Sequence, residues 1–402
     1  MQLSAKLKTR ILKISIFISF PKPPHKEANR QIPEFINKKI KRLDFVKLLQ
    51  HFVILMMNQS KIRENLESWF STKGFIFLGI VDLDVRKDFL KFKQWLASGN
   101  QGSMEYLANH LELRENPAAL IDKARSAVIF GFPYYQDKEK TLDEGHGRIA
   151  QYARLKDYHK FMKLHAQHII DKITEDFPND SFKIAVDSTP ILERALAKKT
   201  SRGFIGKNTC YIHPNYGSFL LLGEIITSIQ LDADTPANIT PEMRTDEGGC
   251  GSCKRCQVHC PTGALDQDYQ LNANKCISYW TIENRDIIPK EFWPWLKDYV
   301  FGCDLCQLVC PYNRKISPIQ TRDLQKSPAS VDLYGLATIS QEDYEKRFGG
   351  TPITRAKRYG LRRNALVAMY VNNDKRLLKA ISAVKLDSHP VLEKTIDQME
   401  LA

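Results

Sequence analysis

Short apolar runs alternate with amphipathic stretches through the middle of the chain. Runs of roughly four to eight apolar residues are typical of buried strands, and four of them occur: FIFLGIV (75–81), AVIFGF (127–132), FKIAV (182–186) and FLLLGEII (219–226). The stretches RKDFLKFKQWLAS and KDYHKFMKLHAQHIIDKITEDF between them have helical periodicity. SKIRENLESWFSTKG predicts a further helix, capped by Ser60 and ended by Gly74. The pattern predicts an α/β or α+β domain over residues 57–235.

The C-terminal third has a different pattern. SQEDYEKRFGG and TPITRAKRYGLRRNALVAMYV are predicted to be helical, so residues 321–402 form a small all-α region. A cysteine-rich segment, residues 236–320, separates it from the first domain. The predicted fold class is therefore α+β in three parts, consistent with a length of 402 residues.

The positive charge is concentrated at the N-terminus. The net charge is +13, but residues 1–56 hold 12 Lys and Arg against 3 Asp and Glu, which leaves +4 for the rest. We interpret residues 1–56 as a disordered basic extension or the product of an upstream start codon, with Met57 as the true start. FVILMM is too short to cross a bilayer, and no apolar core precedes a small-residue cleavage site. We therefore expect a cytoplasmic protein without a membrane segment.

Eight of the nine cysteines lie in two related motifs and one isolated position. CGSCKRCQVHCP has the C-x2-C-x2-C-x3-C-P spacing of bacterial ferredoxins, in which the fourth cysteine ligates the other cluster. CDLCQLVCP is a shortened copy. The spacing predicts one [4Fe-4S] cluster on Cys250, Cys253, Cys256 and Cys310. A second cluster is predicted on Cys260, Cys303, Cys306 and Cys276, which replaces the ligand missing at Val300.

Other uses of these cysteines are less consistent with the pattern. Disulfides are rare in the reducing cytosol, and structural zinc favours two separated C-x2-C pairs with four ligands in all. The ninth cysteine, Cys210, has no partner at metal-ligand spacing and is interpreted as a buried or cofactor-adjacent thiol.

Two stretches of the first domain carry candidate chemistry. Asp187 follows a predicted strand, and Thr189 and Pro190 are predicted as the cap and first residue of a helix. Tyr158 and His159 lie in GRIAQYARLKDYHKF beside other polar residues. Taken alone, a capping aspartate or a Tyr-His pair is more often structural. GFIGKN lacks the spacing of a dinucleotide-binding loop.

From about Ser60 to Asn373 the chain resembles the epoxyqueuosine reductase family. The matching segments are GNQGSMEYLANH, RENPAAL, GRIAQYA followed by KDYH, DSTPILERALA with GFIGKNT, GSFLLLGEI, both cysteine motifs, CISYWTIE and GTPITRAKRYGLRRNAL. The resemblance implies a nitroreductase-like α/β domain that binds a corrinoid and a ferredoxin-like module with two clusters. It also implies Cys276 as the isolated cluster ligand.

The resemblance implies base-off cobalamin as cofactor, so no D-x-H-x-x-G motif is required. Asp187 matches the family's proton-donating aspartate, and burial against the corrin is expected to raise its pKa. The residues implied in cofactor binding are Met104, Tyr106, Arg114, Tyr158, Asp187, Lys207, Asn208, Ser218, Ser278, Asp304 and Leu305.

The implied reaction is reduction of epoxyqueuosine to queuosine at the wobble position of tRNA with a GUN anticodon. Cob(I)alamin attacks the epoxide, Asp187 protonates the oxygen, and the two clusters relay electrons from an external low-potential donor such as flavodoxin or ferredoxin. We expect a monomer. Arg355, Arg358, Arg362 and Arg363 of TPITRAKRYGLRRNAL are predicted to bind tRNA phosphates, because a helix places three of them on one face.

Three alternatives stay open on the sequence. A reductive dehalogenase would share corrinoid and clusters, although the twin-arginine signal usual for that class is missing from the N-terminus. A simple electron-transfer ferredoxin would not need the long domain before the clusters. A nucleic-acid-binding protein with structural clusters would bind tRNA without reductase activity.

Overall fold

We analysed a computed structural model, which describes residues 61–136, 141–200, 202–234, 248–318, 324, 327–387 and 389–400. The predicted basic extension and the Ser60 cap lie outside these residues. The strands in the described part are β1 Ile76–Val81, β2 Ser126–Pro133, β3 His146–Ile149, β4 Phe182–Ala185, β5 Phe204–Ile205, β6 Tyr211–Ile212, β7 Leu220–Thr227, β8 Tyr299–Phe301 and β9 Ser330–Asp332.

The α-helices are α1 61–71, α2 Arg86–Ala97, α3 Leu111–Glu115, α4 Tyr158–Asp176, α5 Glu193–Lys198, α6 Arg255–Val258, α7 Leu305–Leu308, α8 Leu333–Ala337, α9 Gln341–Phe348, α10 Lys357–Val371, α11 Leu377–Lys385 and α12 Pro390–Asp397. A π-helical turn spans Tyr279–Glu283, and 3-10 turns span Glu105–Ala108, Pro117–Leu120, Gln151–Arg154, Gly248–Cys250, Ala273–Lys275, Lys290–Leu296, Pro311–Asn313 and Pro352–Ala356. Within the described ranges, no helix combines the length and apolar character needed to span a membrane.

The four predicted strands form one antiparallel sheet in the order β1-β2-β7-β4. Successive residues of β2 enter different cores: Phe130 packs in the same core as α1 and α4, and Ile129 packs with Leu196 of α5. Because both faces are covered, the strands are apolar in nearly every position rather than alternating. This explains why the strand positions were predictable from short apolar runs.

A second sheet connects the three predicted parts of the chain. Its order is β8-β3-β9, with β3 parallel to β8 and antiparallel to β9. Helix α10 packs against β8 and α8 in a core that also contains Ile149 from β3. Residues Gln59–Ala402 belong to one compact unit, and the boundaries at 235/236 and 320/321 stay predictions.

The predicted helix start after β4 was wrong. Thr189 and Pro190 lie in a bend, and α5 begins at Glu193 with Leu192 before it and no side-chain cap. The reason is that Asp187 has a positive φ of 54°, which turns the chain before a helix can begin. Because α5 begins only at Glu193, the carboxylate of this residue lies beside the Asp187 backbone.

Candidate functional site

Asp187 lies two residues after the end of β4 in a left-handed conformation that costs free energy in any residue with a side chain. A short hydrogen bond holds this turn: the Asp187 N–H donates to Glu193 Oε1 at 2.5 Å. The preceding Val186 is fully buried, whereas 60% of the Asp187 side chain is exposed. The turn therefore leaves the β4 core and presents a carboxylate at an open site.

His159 joins two carboxylates at this site. Asp157 caps α4 by accepting a hydrogen bond from the His159 N–H at 3.0 Å. The two ring nitrogens are also engaged, Nδ1 with Asp157 Oδ1 and Nε2 with Asp187 Oδ2, each at 2.8 Å. Carboxylates only accept, so this arrangement favours the imidazolium. The hydrogen bond to Asp187 raises the pKa of His159 above its usual value, against the opposing effect of burial.

The rise in the pKa of Asp187 expected from burial against the corrin stays a prediction, and the protein's own residues act in the opposite direction. Desolvation is the largest influence and acts upward, but the hydrogen bonds from His159 and Tyr158 together with the charge of Arg355 lower the pKa of Asp187 below its usual value. A side chain that is mostly exposed and still strongly desolvated lines an opening in the protein rather than a flat surface. The protein's own groups therefore favour the proton on His159 rather than on Asp187.

Tyr106 and Arg355 complete what we call the Asp187 cluster, defined as Tyr106, Tyr158, His159, Asp187 and Arg355. The Arg355 guanidinium lies 5.1 Å from the centre of the Tyr106 ring. It also forms a two-pronged ion pair with Glu283, with nitrogen-to-oxygen distances of 2.9 and 2.8 Å. Arg355 and Tyr106 remain 49% and 44% exposed, so both face the opening.

The Met104–Tyr106 loop is fixed from the cysteine-rich segment. The Ser103 N–H donates to Tyr279 Oη at 2.9 Å, and a Cβ on Gly102 would come within 2.6 Å of the Tyr279 ring. Gly102, at φ +61°, is therefore required both by its conformation and by the close approach. Tyr279 follows Cys276 by three residues, so this contact brings the loop close to the second cysteine group.

The remaining residues implied in corrin binding occupy varied environments. Arg114 donates to the Asn109 carbonyl at 3.3 Å, and desolvation lowers its pKa. The Lys207 ammonium pairs with Asp268 at 3.0 Å, and the Asn208 amide lies 3.5 Å from the Cys306 carbonyl.

Four of these residues serve the protein interior or the cysteine loops. The Ser218 hydroxyl is buried between Gln307 and Asn313, and Asp304 accepts from the Gln151 N–H at 2.7 Å. Ser278 hydrogen-bonds the Cys276 thiol, and Leu305 is half-buried at the start of α7.

The seven motif cysteines and Cys276 lie in two groups of four. Burial and the charges of Cys250, Cys310 and Cys253 raise the pKa of Cys256 to about 11. Burial raises the pKa of Cys303 well above its usual value, and Cys276 and Cys260 add to the effect. Cys306 is affected in the same way, with Cys303 and Cys276 among its neighbours. The grouping is compatible with the ligand sets predicted from the ferredoxin spacing, which stay a prediction, and Val300 lies in the core on β8.

The surroundings of the thiols suit a metal cluster. Backbone N–H groups face several sulfurs, such as the Lys207 N–H, 3.5 Å from Cys250 Sγ, and hydrogen bonds of this kind tune cluster potentials. Cys210 lies beside both groups, and burial raises its pKa to about 11. Among the described residues, no three His, Cys, Asp or Glu side chains are arranged around a single metal ion, whereas a cubane distributes its thiolates over several irons.

The proposed phosphate contacts on α10 are wrong for three of the four arginines. Arg363 is fully buried and donates to the carbonyls of Trp280 and Asn284 at 2.7 and 3.1 Å. Arg362 is 2% exposed, and with Arg358 it binds the Asp387 carboxylate. The face of α10 that the sequence indicated as basic therefore packs inside the protein, where its arginines bind carbonyls and Asp387. Arg355 precedes the helix and is the arginine of this set that remains accessible.

Three acidic residues at the site were not predicted. Glu283 orients Arg355, Glu193 holds the Asp187 turn, and Glu224 is buried in β7. For Glu224 the sequence did contain a signal, because a carboxylate inside the apolar run FLLLGEII is unusual for a buried strand. Glu283 and Glu193 gave no such signal. The partner of Glu283, Arg355, is distant in the sequence, and the partner of Glu193 is the backbone N–H of Asp187.

Comparisons with known proteins show which family the chain is similar to. The profile of the family "Epoxyqueuosine reductase QueG, DUF1730" matches residues 114–188, and that of the "4Fe-4S double cluster binding domain" matches residues 249–313. An epoxyqueuosine reductase from Aliivibrio fischeri is 33% identical over 321 residues, which cover 78% of this chain and 84% of the relative.

Solved structures of epoxyqueuosine reductases have a similar fold. One, with an epoxyqueuosine-modified tRNA-Tyr stem loop, aligns with a TM-score of 0.76 at 27% identity and covers 84% of this chain and 88% of that one. Another, from Bacillus subtilis with its catalytic aspartate loop swung out of the active site, aligns at 0.75 and 26%, covering 84% and 89%.

Proposed function

This chain belongs to the epoxyqueuosine reductase family, and from that premise we propose how it acts on its substrate. It is an oxidoreductase with a double [4Fe-4S] domain, and its substrate is epoxyqueuosine in tRNA. The observation that carries the proposal is the position of the Asp187 cluster, which is exposed and is linked through Tyr279 to the segment that carries Cys276.

We assign one [4Fe-4S] cluster to each of the two sets of four cysteines. Cys250, Cys253, Cys256 and Cys310 hold one cluster, and Cys260, Cys276, Cys303 and Cys306 hold the other. The first group lies in a loop whose Lys254, Arg255 and Val258 are exposed, with Val258 at 77%. An acidic electron-transfer protein such as flavodoxin or ferredoxin would find complementary charge there, so electrons enter at the first cluster and pass to the second.

The residues around Asp187 fit base-off cobalamin. Both nitrogens of His159 are hydrogen-bonded to carboxylates, so this histidine would not be available to ligate cobalt. Tyr106, Arg114, Tyr158 and the Met104 loop would contact the corrin, and Ser278, Asp304, Leu305, Lys207, Asn208 and Ser218 would shape the site from the cluster side. When bound and reduced, cobalamin supplies a strong nucleophile for an epoxide carbon.

The protonation of the departing oxygen is assigned to Asp187, with His159 as the source of the proton. Asp187 is ionised in the open site because His159 and Tyr158 outweigh its desolvation. Cofactor and substrate would cover the exposed 60% of its side chain and remove water, which strengthens the influence that already acts upward on its pKa. The proton then passes from His159 Nε2 to Asp187 Oδ2, two atoms that lie 2.8 Å apart, and is available to the epoxide oxygen.

Arg355 is the accessible basic residue beside this centre, and we assign it to the tRNA or to the modified base. Its bidentate pair with Glu283 fixes the guanidinium plane, which leaves the exposed edge directed into the opening. Arg358, Arg362 and Arg363 have structural roles instead.

The proposal is tested by a single-turnover assay on protein loaded with clusters and cobalamin under anaerobic conditions. The substrate is a tRNA stem loop that carries epoxyqueuosine, and mass spectrometry of the nucleosides measures loss of the oxygen. Wild-type protein should yield queuosine, and Asp187→Asn should retain both cofactors without forming product. Wild-type protein with intact cofactors and no queuosine would overturn the function, and normal turnover by Asp187→Asn would overturn the acid.

A further inference from the structure

Helix α2 and the loop after it are attached to the segment that contains Cys276. We call residues 98–108 the Met104 loop, because Met104 lies at their centre. Three hydrogen bonds join this part of the first domain to the residues before the cysteine. Donor first, they connect Trp95 with Leu271 at 2.6 Å, Ala273 with Asn100 at 2.8 Å, and Asn274 with Gly99 at 2.8 Å. The position of the loop therefore depends on the segment that supplies the isolated cysteine of the second group.

Tyr279 connects the Met104 loop directly to the Cys276 sulfur. Its N–H donates to the thiol. Its hydroxyl, in a side chain that is 6% exposed, accepts from the Ser103 N–H and donates to Ser103 Oγ, each at 2.9 Å. One residue thus contacts the predicted cluster ligand through its backbone and the loop through its side chain. Groups that hydrogen-bond a metal ligand take their orientation from it.

The far end of the Met104 loop is joined to the same segment. Tyr106 hydrogen-bonds Arg355, and the Arg355 guanidinium pairs with Glu283 at 2.8 Å. Glu283 ends the π-helical turn that Tyr279 begins. Such turns are rare and frequently occur at functional sites. The loop that faces the opening is therefore held at both ends of one turn.

We propose that Tyr279 is a positioning residue that couples the second cluster to corrinoid binding. With Cys276 bound to iron, the Tyr279 backbone is fixed, and its hydroxyl holds the Met104 loop where the loop would contact the corrin. This inference rests on the proposed function, because it takes Cys276 to ligate the second cluster and the corrinoid to lie against the loop. Coupling between two binding sites is reciprocal, so a loop held by the corrinoid also stabilises the second cluster.

A merely structural role of Tyr279 predicts a different result. If its hydroxyl only stabilised the fold, Tyr279→Phe would weaken corrinoid binding equally with and without the second cluster. Coupling predicts that the effect requires the cluster. The change keeps the buried ring and removes only the two hydrogen bonds to Ser103.

A double-mutant cycle with Cys276→Ala measures this difference. The dissociation constant of cob(II)alamin is measured anaerobically by electron paramagnetic resonance on cluster-reconstituted protein. Tyr279→Phe should weaken binding about tenfold in the wild-type background, because two ordinary hydrogen bonds are lost, and less than twofold in Cys276→Ala. Tyr370→Phe, a change in a partly buried ring on Trp293, is the matched control and should leave the affinity unchanged. Equal weakening by Tyr279→Phe in both backgrounds would overturn the coupling.

A second measurement keeps Cys276 in place. Iron release to a ferrous chelator is followed with and without saturating cob(II)alamin. In wild type and Tyr370→Phe, cob(II)alamin should slow the release of about half of the iron several-fold, and Tyr279→Phe should lose this protection with the same iron content at the start. The proposal fails if wild type shows no protection, or if Tyr279→Phe is protected as well as wild type. Wild-type protein with both clusters that binds no cob(II)alamin would instead overturn the cofactor of the proposed function.

Discussion

The buried arginine of α10 offers a sharp test of how the C-terminal helices act. Arg363 donates to the carbonyls of Trp280 at 2.7 Å and Asn284 at 3.1 Å, and also to that of Asp286. These carbonyls belong to the turn that follows Cys276. Arg363 therefore stabilises the segment that supplies the isolated cysteine of the second group, and it does not bind phosphate.

We consider the change Arg363→Met, which keeps an unbranched apolar stem and removes every donor. Each buried carbonyl left without a donor costs about 1 to 3 kcal/mol, and the three are coupled through one side chain. The expected loss in free energy of unfolding is about 3 to 5 kcal/mol, the range found when one partner of a buried charged network is removed. The exposed Arg347→Met on α9 is the matched control and should change stability by less than about 0.5 kcal/mol.

Urea unfolding followed by tryptophan fluorescence, under anaerobic conditions, measures the loss. Iron and acid-labile sulfide should fall with Arg363→Met, because the Cys276 segment is loosened, and should be unchanged in the control. Binding of a tRNA stem loop at several salt concentrations completes the assay. If Arg363→Met unfolds like wild type but binds tRNA more weakly with a shallower salt dependence, the side chain contacts phosphate and the structural reasoning fails.

Three further changes test the rest of the site. Cys276→Ala should lose about half of the iron and sulfide, and Cys210→Ala none; equal iron in both variants would contradict the ligand assignment. His159 has a raised pKa, so its proton is retained to higher pH than in an ordinary histidine and is lost as the pH rises through that pKa. Single-turnover rates of wild type should accordingly fall on the alkaline side, and His159→Gln should be slow without that limb; an unchanged limb would exclude His159 as the source. Lys254→Glu combined with Arg255→Glu should weaken reduction by an acidic donor protein but not by a small chemical reductant, and equal loss with both would place electron entry elsewhere.

The sequence alone determined those features that depend on local order. Buried strands are short apolar runs, so β1, β2, β4 and β7 could be placed to within a residue or two. The ferredoxin spacing is likewise local, because cysteines with two residues between them bind the same cluster whatever surrounds them. The resemblance, carried by motifs in order along the chain, indicated the family that the comparisons then showed.

Tertiary structure decided which polar groups are accessible and where the protons are. In the sequence, the arginines of α10 look like an unpaired basic face. Their partners cannot be identified there, because Asp387 is distant along the chain and the other acceptors are backbone carbonyls after Cys276. The sequence did not indicate that His159 of α4 would lie beside Asp187 and lower its pKa. Burial and charge pairing depend on which distant residues the fold brings within a few ångströms, and the order of residues along the chain does not contain that distance.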